Sequence, residues 1–118
     1  MNTKQMLKEI NWSDFQKIEL RVGTIIEAKD FPEARKPAYI LKVDFGNEIG
    51  IKKSSAQITD LYHKEDLIDK KILAVVNFPP KQIGPIMSEC LITGFFDADD
   101  NVVLAVPDKE IQNGARLA

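Results

Sequence analysis

Tyr39, Leu41, Val43 and Phe45 alternate with Ile40, Lys42 and Asp44. A period of two puts successive side chains on opposite faces of an extended strand, so this run specifies one buried face and one half-exposed face. Gly46-Asn47 follows as a hairpin-type turn, and Ile49 and Ile51 continue as the return strand as far as Lys52-Lys53. The same period appears earlier, where Ile18, Leu20 and Val22 alternate with Glu19 and Arg21. Gly23 interrupts it and Ile25-Ile26 resume it, which reads as a bulge or bend at the glycine. Further strands are expected at 72–78, stopped by Pro79-Pro80, at 89–93 and at 102–106.

Two helical pieces accompany these strands. Ser54-Ser55-Ala56-Gln57 can open a helical turn whose apolar face is Ile58, Leu61 and Tyr62. Residues 3–10 read as a short amphipathic helix with Met6, Leu7 and Ile10 on one face. So short a helix is marginal alone and must dock, either on its own domain or on a second chain. At least five short strands with a helix inserted after the third is the order of an OB-fold barrel. The expected fold is therefore all-β: a five-stranded OB-fold barrel with a short helix after strand three and a short N-terminal helix. Periodicity alone leaves a small sandwich open. Residues 1–13 form the N-terminal piece and 14–118 the barrel, and 118 residues suit one domain.

Composition narrows the function classes. Sixteen Lys and Arg face eighteen Asp and Glu, a formal net charge of −2, so any polyanion site must be a local patch. One cysteine, Cys90, and one histidine, His63, exclude an intrachain disulfide, a thiolate-rich metal site and a two-histidine site. The chain has no phosphate loop, no nucleophile elbow and no HExxH sequence. Cys90 reads as a buried structural thiol, and the Asp97, Asp99 and Asp100 turn lacks the ligands of a calcium loop. No enzyme, catalytic residue, metal or cofactor is expected. No apolar run approaches the ~18 residues that span a bilayer, and the N-terminus lacks the apolar region of a signal peptide, so a cytoplasmic protein without membrane insertion is expected.

Polar side chains gather where strands meet loops. Lys52, Lys53, Ser54, Ser55 and Gln57 follow one strand, Arg35 and Lys36 share a loop, Asn77 ends a strand before Lys81 and Gln82, and Ser88 opens the next. In a small barrel such positions rim the ligand groove, with Lys and Arg suited to phosphate and Ser, Asn and Gln to base edges or peptide amides. The alternative is that they are ordinary solvated loop residues. Among the aromatics, Tyr39, Phe45 and Phe78 fall at core positions of the alternation, which leaves Phe31 as the exposed one. Met6, Leu7, Ile10 and Trp12 make an apolar face suited either to self-association through a two-fold or to packing on the chain's own barrel.

Several blocks carry a family resemblance. Ile18-Glu19-Leu20-Arg21-Val22-Gly23-Thr24-Ile25 with Pro32 and Ala34 resembles the opening of the tRNA-binding domain. Leu41-Lys42-Val43-Asp44-Phe45-Gly46, Ala74-Val75-Val76-Asn77-Phe78, Ser88, and Val106-Pro107-Asp108 with Asn113-Gly114 resemble its later blocks, so the likeness runs over about 14–118. Within that family, Phe31-Pro32-Glu33-Ala34-Arg35, Glu48-Ile49-Gly50-Ile51-Lys52, Ser54-Ser55-Ala56-Gln57-Ile58-Thr59 and Val75-Val76-Asn77-Phe78-Pro79-Pro80 are similar to the export-related chaperone subgroup, CsaA. The resemblance implies a non-catalytic OB-fold homodimer that binds unfolded precursor proteins and the preprotein translocase motor. It further implies a peptide- or RNA-binding surface at Lys52, Lys53, Ser54, Ser55, Gln57, Asn77 and Ser88. The alternative within the family is a tRNA-binding module, in which Arg35, Lys36, Lys52, Lys53 and Lys81 would meet phosphates.

Overall fold

A computed structural model describes residues 6–118. The strand of the second alternating run is β2 (Tyr39–Asp44), and it lies between β1 (Leu20–Asp30) and β3 (Ile51–Ala56). β4 (Lys71–Val75) pairs with the other side of β1 and β7 (Leu91–Ile92) with β4, all antiparallel, in the order β3-β2-β1-β4-β7. The sheet curls into a nearly closed five-strand barrel of the OB type. Two hairpins lie outside this ladder: β5 (Lys81–Ile83) with β6 (Ile86–Ser88), and β8 (Gly94–Phe96) with β9 (Val102–Leu104), whose Leu104 packs into the core. The strand expected at 102–106 thus belongs to a hairpin beside the barrel and not to its main sheet.

Leu41, Val43, Ile25, Phe45, Ile72 and Ala74 fill the interior, as the alternation requires. Gly23 is needed for a reason the period does not convey. A Cβ there would stand 2.5 Å from Val43 Cγ1 and 2.7 Å from the Phe45 ring, so β1 crosses directly over the core. The bulge lies three residues further on. Ile25 pairs with Val43 and Glu27 with Lys42, which leaves Ile26 as the extra residue, turned outward.

The gap between edge strands β3 and β7 is closed largely by side chains. Ser54, 1% exposed, donates its hydroxyl to the Cys90 carbonyl at 3.0 Å. The Lys53 amide donates to Glu89 Oε1 at 2.9 Å, the Glu89 amide returns a bond to the Lys53 carbonyl at 2.8 Å, and the Ser55 amide donates to Ser88 Oγ at 3.2 Å. On the far side of β1, residues 114–117 run alongside: the Val22 amide donates to Ala115, Gly114 to Val22 and Leu117 to Leu20. Gly114 takes φ +88, and a Cβ there would lie 2.8 Å from the Phe45 carbonyl oxygen, so glycine is required.

Both helices form, displaced from their expected places. Ser54, Ser55 and Ala56 continue β3, and the helix after strand three is α2 (Lys64–Leu67), whose Leu67 is fully buried in the barrel. At the N-terminus, residues 6–10 carry no regular structure, and residues 3–5 of the helix expected at 3–10 lie outside the described residues. The helix is α1 (Trp12–Phe15), started by Asn11. Its side chain accepts from the Asp14 amide at 3.1 Å while Asp14 Oδ2 accepts from the Asn11 amide at 3.4 Å, a reciprocal cap that outweighs the apolar spacing of 6–10. Among the described residues, no helix is long and apolar enough to cross a membrane.

Candidate functional site

Beside the side-chain seam, the β5–β6 hairpin and the Pro79-Pro80 segment stand away from the barrel and leave a groove of about 410 Å³. Phe78, Pro79, Ile83 and Leu91 wall it, Cys90 lies at its floor, and Ser55, Lys81, Ser88 and Glu89 supply its polar edge. Phe78 is 54% exposed and Leu91 51%. β4 ends at Val75 and two prolines follow Phe78, so the period-two rule stops before it reaches this residue. The assignment of Phe78 to the core is therefore corrected. Phe31, expected to be exposed, is 3% exposed and packs beneath the hairpin turn, 3.5 Å from where a Gly84 Cβ would stand.

A second hollow, about 680 Å³, adjoins the groove and shares Ser55, Lys81 and Ile83 with it. Arg35, Lys36, Lys81, Gln57 and Gln82 line it together with Glu33. Among the described residues, no carboxylate lies within 4.0 Å of the cationic groups of Arg35, Lys36 or Lys81, whereas Lys29 and Lys42 are both held by Glu27. The bonds from Lys29 and Lys42 keep the Glu27 carboxyl below its usual range, in a pair that is already satisfied. Three cations without a carboxylate partner among the described residues thus rim one concavity, a local positive patch in a chain whose net charge is negative.

The structure distributes the sequence-derived candidates unevenly. Arg35, Lys36, Ser55, Gln57 and Lys81 meet at the cationic hollow, and Ser55, Lys81 and Ser88 meet at the apolar groove. Lys52 and Lys53 lie on a different face, with Ile26, Lys42 and Ile51. Ser54 is buried and spends its hydroxyl on the seam. Asn77 is exposed, but both ends of its amide are engaged: Oδ1 accepts from the Glu19 amide at 3.0 Å and Nδ2 donates to the Lys17 carbonyl at 2.7 Å. Pro79, Ile83 and Leu91 were not singled out by the sequence. The proline pair ending β4 was the available signal for the first of them.

Burial pushes the Cys90 thiol up to about 11, which makes it a poor nucleophile at neutral pH. His63 is exposed at the start of α2 and makes no side-chain cap there. Asp97 Oδ1 accepts from the amides of Asp99 and Asn101, both at 2.9 Å, so the acidic turn is held by its own backbone. Among the described residues, no group of three or more His, Cys, Asp or Glu side chains could hold a metal ion. The two concavities differ in character: one is walled by apolar side chains, the other rimmed by cations.

A further apolar surface lies elsewhere. Met6, Leu7, Ile10 and Trp12 are all largely exposed, Met6 at 95%. The Trp12 and Phe15 rings sit 5.5 Å apart. Phe95 and Phe96 on β8 are 73% and 70% exposed, and Phe95 pairs across the hairpin with Val103, also exposed.

Residues 20–116 match the profile of the family described as "Putative tRNA binding domain". A solved structure of chaperone CsaA from Bacillus anthracis is 47% identical, with a TM-score of 0.88 over 94% of this chain and 100% of that one. The CsaA chaperone protein from Picrophilus torridus is 54% identical, also with a TM-score of 0.88, over 93% of this chain and 100% of that one. The methionine–tRNA ligase of Thermococcus onnurineus is 37% identical over 108 residues, which is 92% of this chain and 14% of that much longer protein.

Proposed function

The chain belongs to the tRNA-binding-domain family, and from that premise we propose that it is a non-catalytic molecular chaperone of the CsaA type that binds unfolded segments of precursor proteins destined for export. The observation that carries this reading is the open apolar groove walled by Phe78, Ile83 and Leu91. An exposed phenylalanine beside a proline pair is a rigid, preformed surface for apolar side chains, and a preformed surface loses little entropy on binding. Ser55, Ser88 and Gln57 along the edge supply hydrogen bonds to a client backbone that needs no particular sequence. Identity of 47–54% to two CsaA chaperones, each covered over its full length, supports the same assignment.

The protein acts as a homodimer in the cytoplasm and hands its clients to the preprotein translocase motor. A second copy of the chain is the partner suited to exposed apolar residues such as those at 6–12 or on the β8–β9 hairpin, since an isologous two-fold buries the same patch on both copies. Two grooves on one particle would then raise affinity for a long unfolded chain about 10²–10⁴-fold by avidity.

A tRNA-binding module is the second reading. The cluster of Arg35, Lys36 and Lys81, unpaired among the described residues, favours it, as does similarity to methionine–tRNA ligases, although the chain spans only 14% of the length of the ligase compared above. Fluorescence anisotropy with a labelled unfolded precursor peptide and with bulk tRNA, each at low and physiological salt, separates the two. Peptide binding that survives salt, with tRNA binding lost, is the expected result. Salt-sensitive tRNA binding without a peptide signal would replace the chaperone reading.

A further inference from the structure

The N-terminal segment and the apolar groove are far apart in sequence but joined by a continuous run of hydrogen bonds. In the α1 region the Gln16 amide donates to the Trp12 carbonyl at 3.0 Å, Lys17 to Asp14 at 3.3 Å and Ile18 to Phe15 at 3.1 Å. The next residues are clamped to the end of β4. The Val76 amide donates to the Glu19 carbonyl at 2.9 Å, the Glu19 amide donates to Asn77 Oδ1 at 3.0 Å, and Asn77 Nδ2 donates to the Lys17 carbonyl at 2.7 Å. Phe78, which walls the groove, is the next residue, and Pro79-Pro80 follow it.

We propose that Asn77 is a positioning residue: by fixing Phe78 against residues 17–19 it sets the shape of the apolar groove and couples groove occupancy to the segment that carries Trp12. The inference rests on the reading of the groove as a peptide site. Its physical basis is the lack of slack on either side of Asn77. Behind it, the Val76–Glu19 bond ends the β-ladder. Ahead of it, beyond Phe78, two prolines with fixed φ halve the soft rotations at two positions by which a loop absorbs movement. Pressure on Phe78 that reaches the backbone is therefore met at the Asn77 peptide, because both ends of the Asn77 amide are tied to the 17–19 backbone. These bonds are exposed to solvent, so each contributes modestly to overall stability. Their role is orientation. This also accounts for an asparagine here: the site needs one acceptor and one donor on a single short planar group.

Two measurements on the full chain test the proposal. Amide hydrogen exchange without ligand is compared for the wild type, Asn77→Ala and Asn77→Asp. The alanine variant is expected to exchange about tenfold faster at Glu19 and at groove residues 81–83 and 88–91, with Ile72 and Leu73 in β4 still protected. Asn77→Asp keeps the acceptor for the Glu19 amide and loses the donor to Lys17, so its effect is intermediate; it serves if the alanine variant does not fold. Unchanged protection of the groove amides in a variant whose Glu19 amide has been released overturns the proposal. Failure of both variants to fold assigns Asn77 to the fold alone and overturns it too.

The second measurement uses a fluorescein-labelled, tryptophan-free synthetic peptide of leucine, phenylalanine, serine and glycine, so that Trp12, the single tryptophan, reports on the N-terminal segment. Peptide binding is expected to shift Trp12 emission in the wild type. In Asn77→Ala the affinity falls about tenfold and the shift is lost at saturation. A shift that persists at saturation in that variant, or binding to the wild type with no change at Trp12, overturns the coupling. A wild-type protein that binds no peptide ends the peptide reading and leaves the exchange comparison to decide the proposal.

Discussion

The Ser54 hydroxyl donates to the Cys90 carbonyl across the one gap in the barrel, 3.0 Å long and buried. Ser54→Ala removes the donor and leaves a buried carbonyl short of a partner, at a cost of about 1–2 kcal/mol. The same change loosens the wall next to the groove. Urea unfolding monitored by circular dichroism is expected to show the lower midpoint with an unchanged slope.

Gly23→Ala is expected to be more damaging. Its Cβ would fall 2.5 Å from Val43 Cγ1 in a part of the core where Phe45 and Val43 are themselves fully buried. Overpacking of this kind costs about 2–3 kcal/mol, and the reading is a depressed melting temperature; wild-type stability would mean that β1 can lift off the core without loss.

The raised Cys90 thiol gives a pH dependence with a definite sign. The folded thiol keeps its proton up to about 11, while its reference value is 9.0. Between those values the unfolded state binds fewer protons than the folded one, so stability falls as pH rises from about 9 to about 11. Native protein at pH 8 should resist alkylation by iodoacetamide and react promptly once unfolded.

Phe78→Ser and a triple Arg35→Gln, Lys36→Gln, Lys81→Gln variant should separate the two binding modes. The first is expected to weaken an unfolded peptide at least tenfold and to leave tRNA binding unchanged. The second removes three phosphate contacts, which would flatten a tRNA log–log salt slope by about 2–3, while its peptide affinity falls less than that of Phe78→Ser, because of the three only Lys81 also edges the apolar groove. Anisotropy across a salt series reads both.

Phe95→Asp and Phe96→Asp together should leave the barrel folded and yield the monomer mass in sedimentation at micromolar concentration, against twice that mass for the wild type. Both side chains are already exposed in the single chain, so the substitution introduces no buried charge there.

The barrel was legible where its strands obey the period of two. β1, β2 and β4 follow the written alternation of Leu20 and Val22, Leu41 and Val43, and Ile72 and Ala74. β3 was cut short because its inward residues, Ser54 and Ala56, are small or polar and give no hydrophobic signal, although both are buried. The N-terminal helix starts later than the apolar spacing at 6–10 suggests, because the reciprocal cap of Asn11 and Asp14, which hydrophobic periodicity does not register, sets its first turn. At the site, Arg35, Lys36 and Lys81 were each named as candidates, but only the hairpin of β5 and β6 brings Lys81 to the other two. Asn77 is a sequence-derived candidate for the binding surface by its type and position; its hydrogen-bond partners, Lys17 and Glu19, lie in a segment that no local pattern connects to it.

A ladder of main-chain bonds is indifferent to which residues form it, whereas the join between β3 and residues 88–90 depends in large part on a serine hydroxyl, a second serine and a glutamate. The width of the slot beside that join is thus open to adjustment by single substitutions at positions 88 and 89, which are less buried than Ser54. The remaining four strand pairings need not change for the slot to admit a bulkier or a slimmer guest. In this architecture the slot can be reshaped with the main-chain ladder of the barrel left in place.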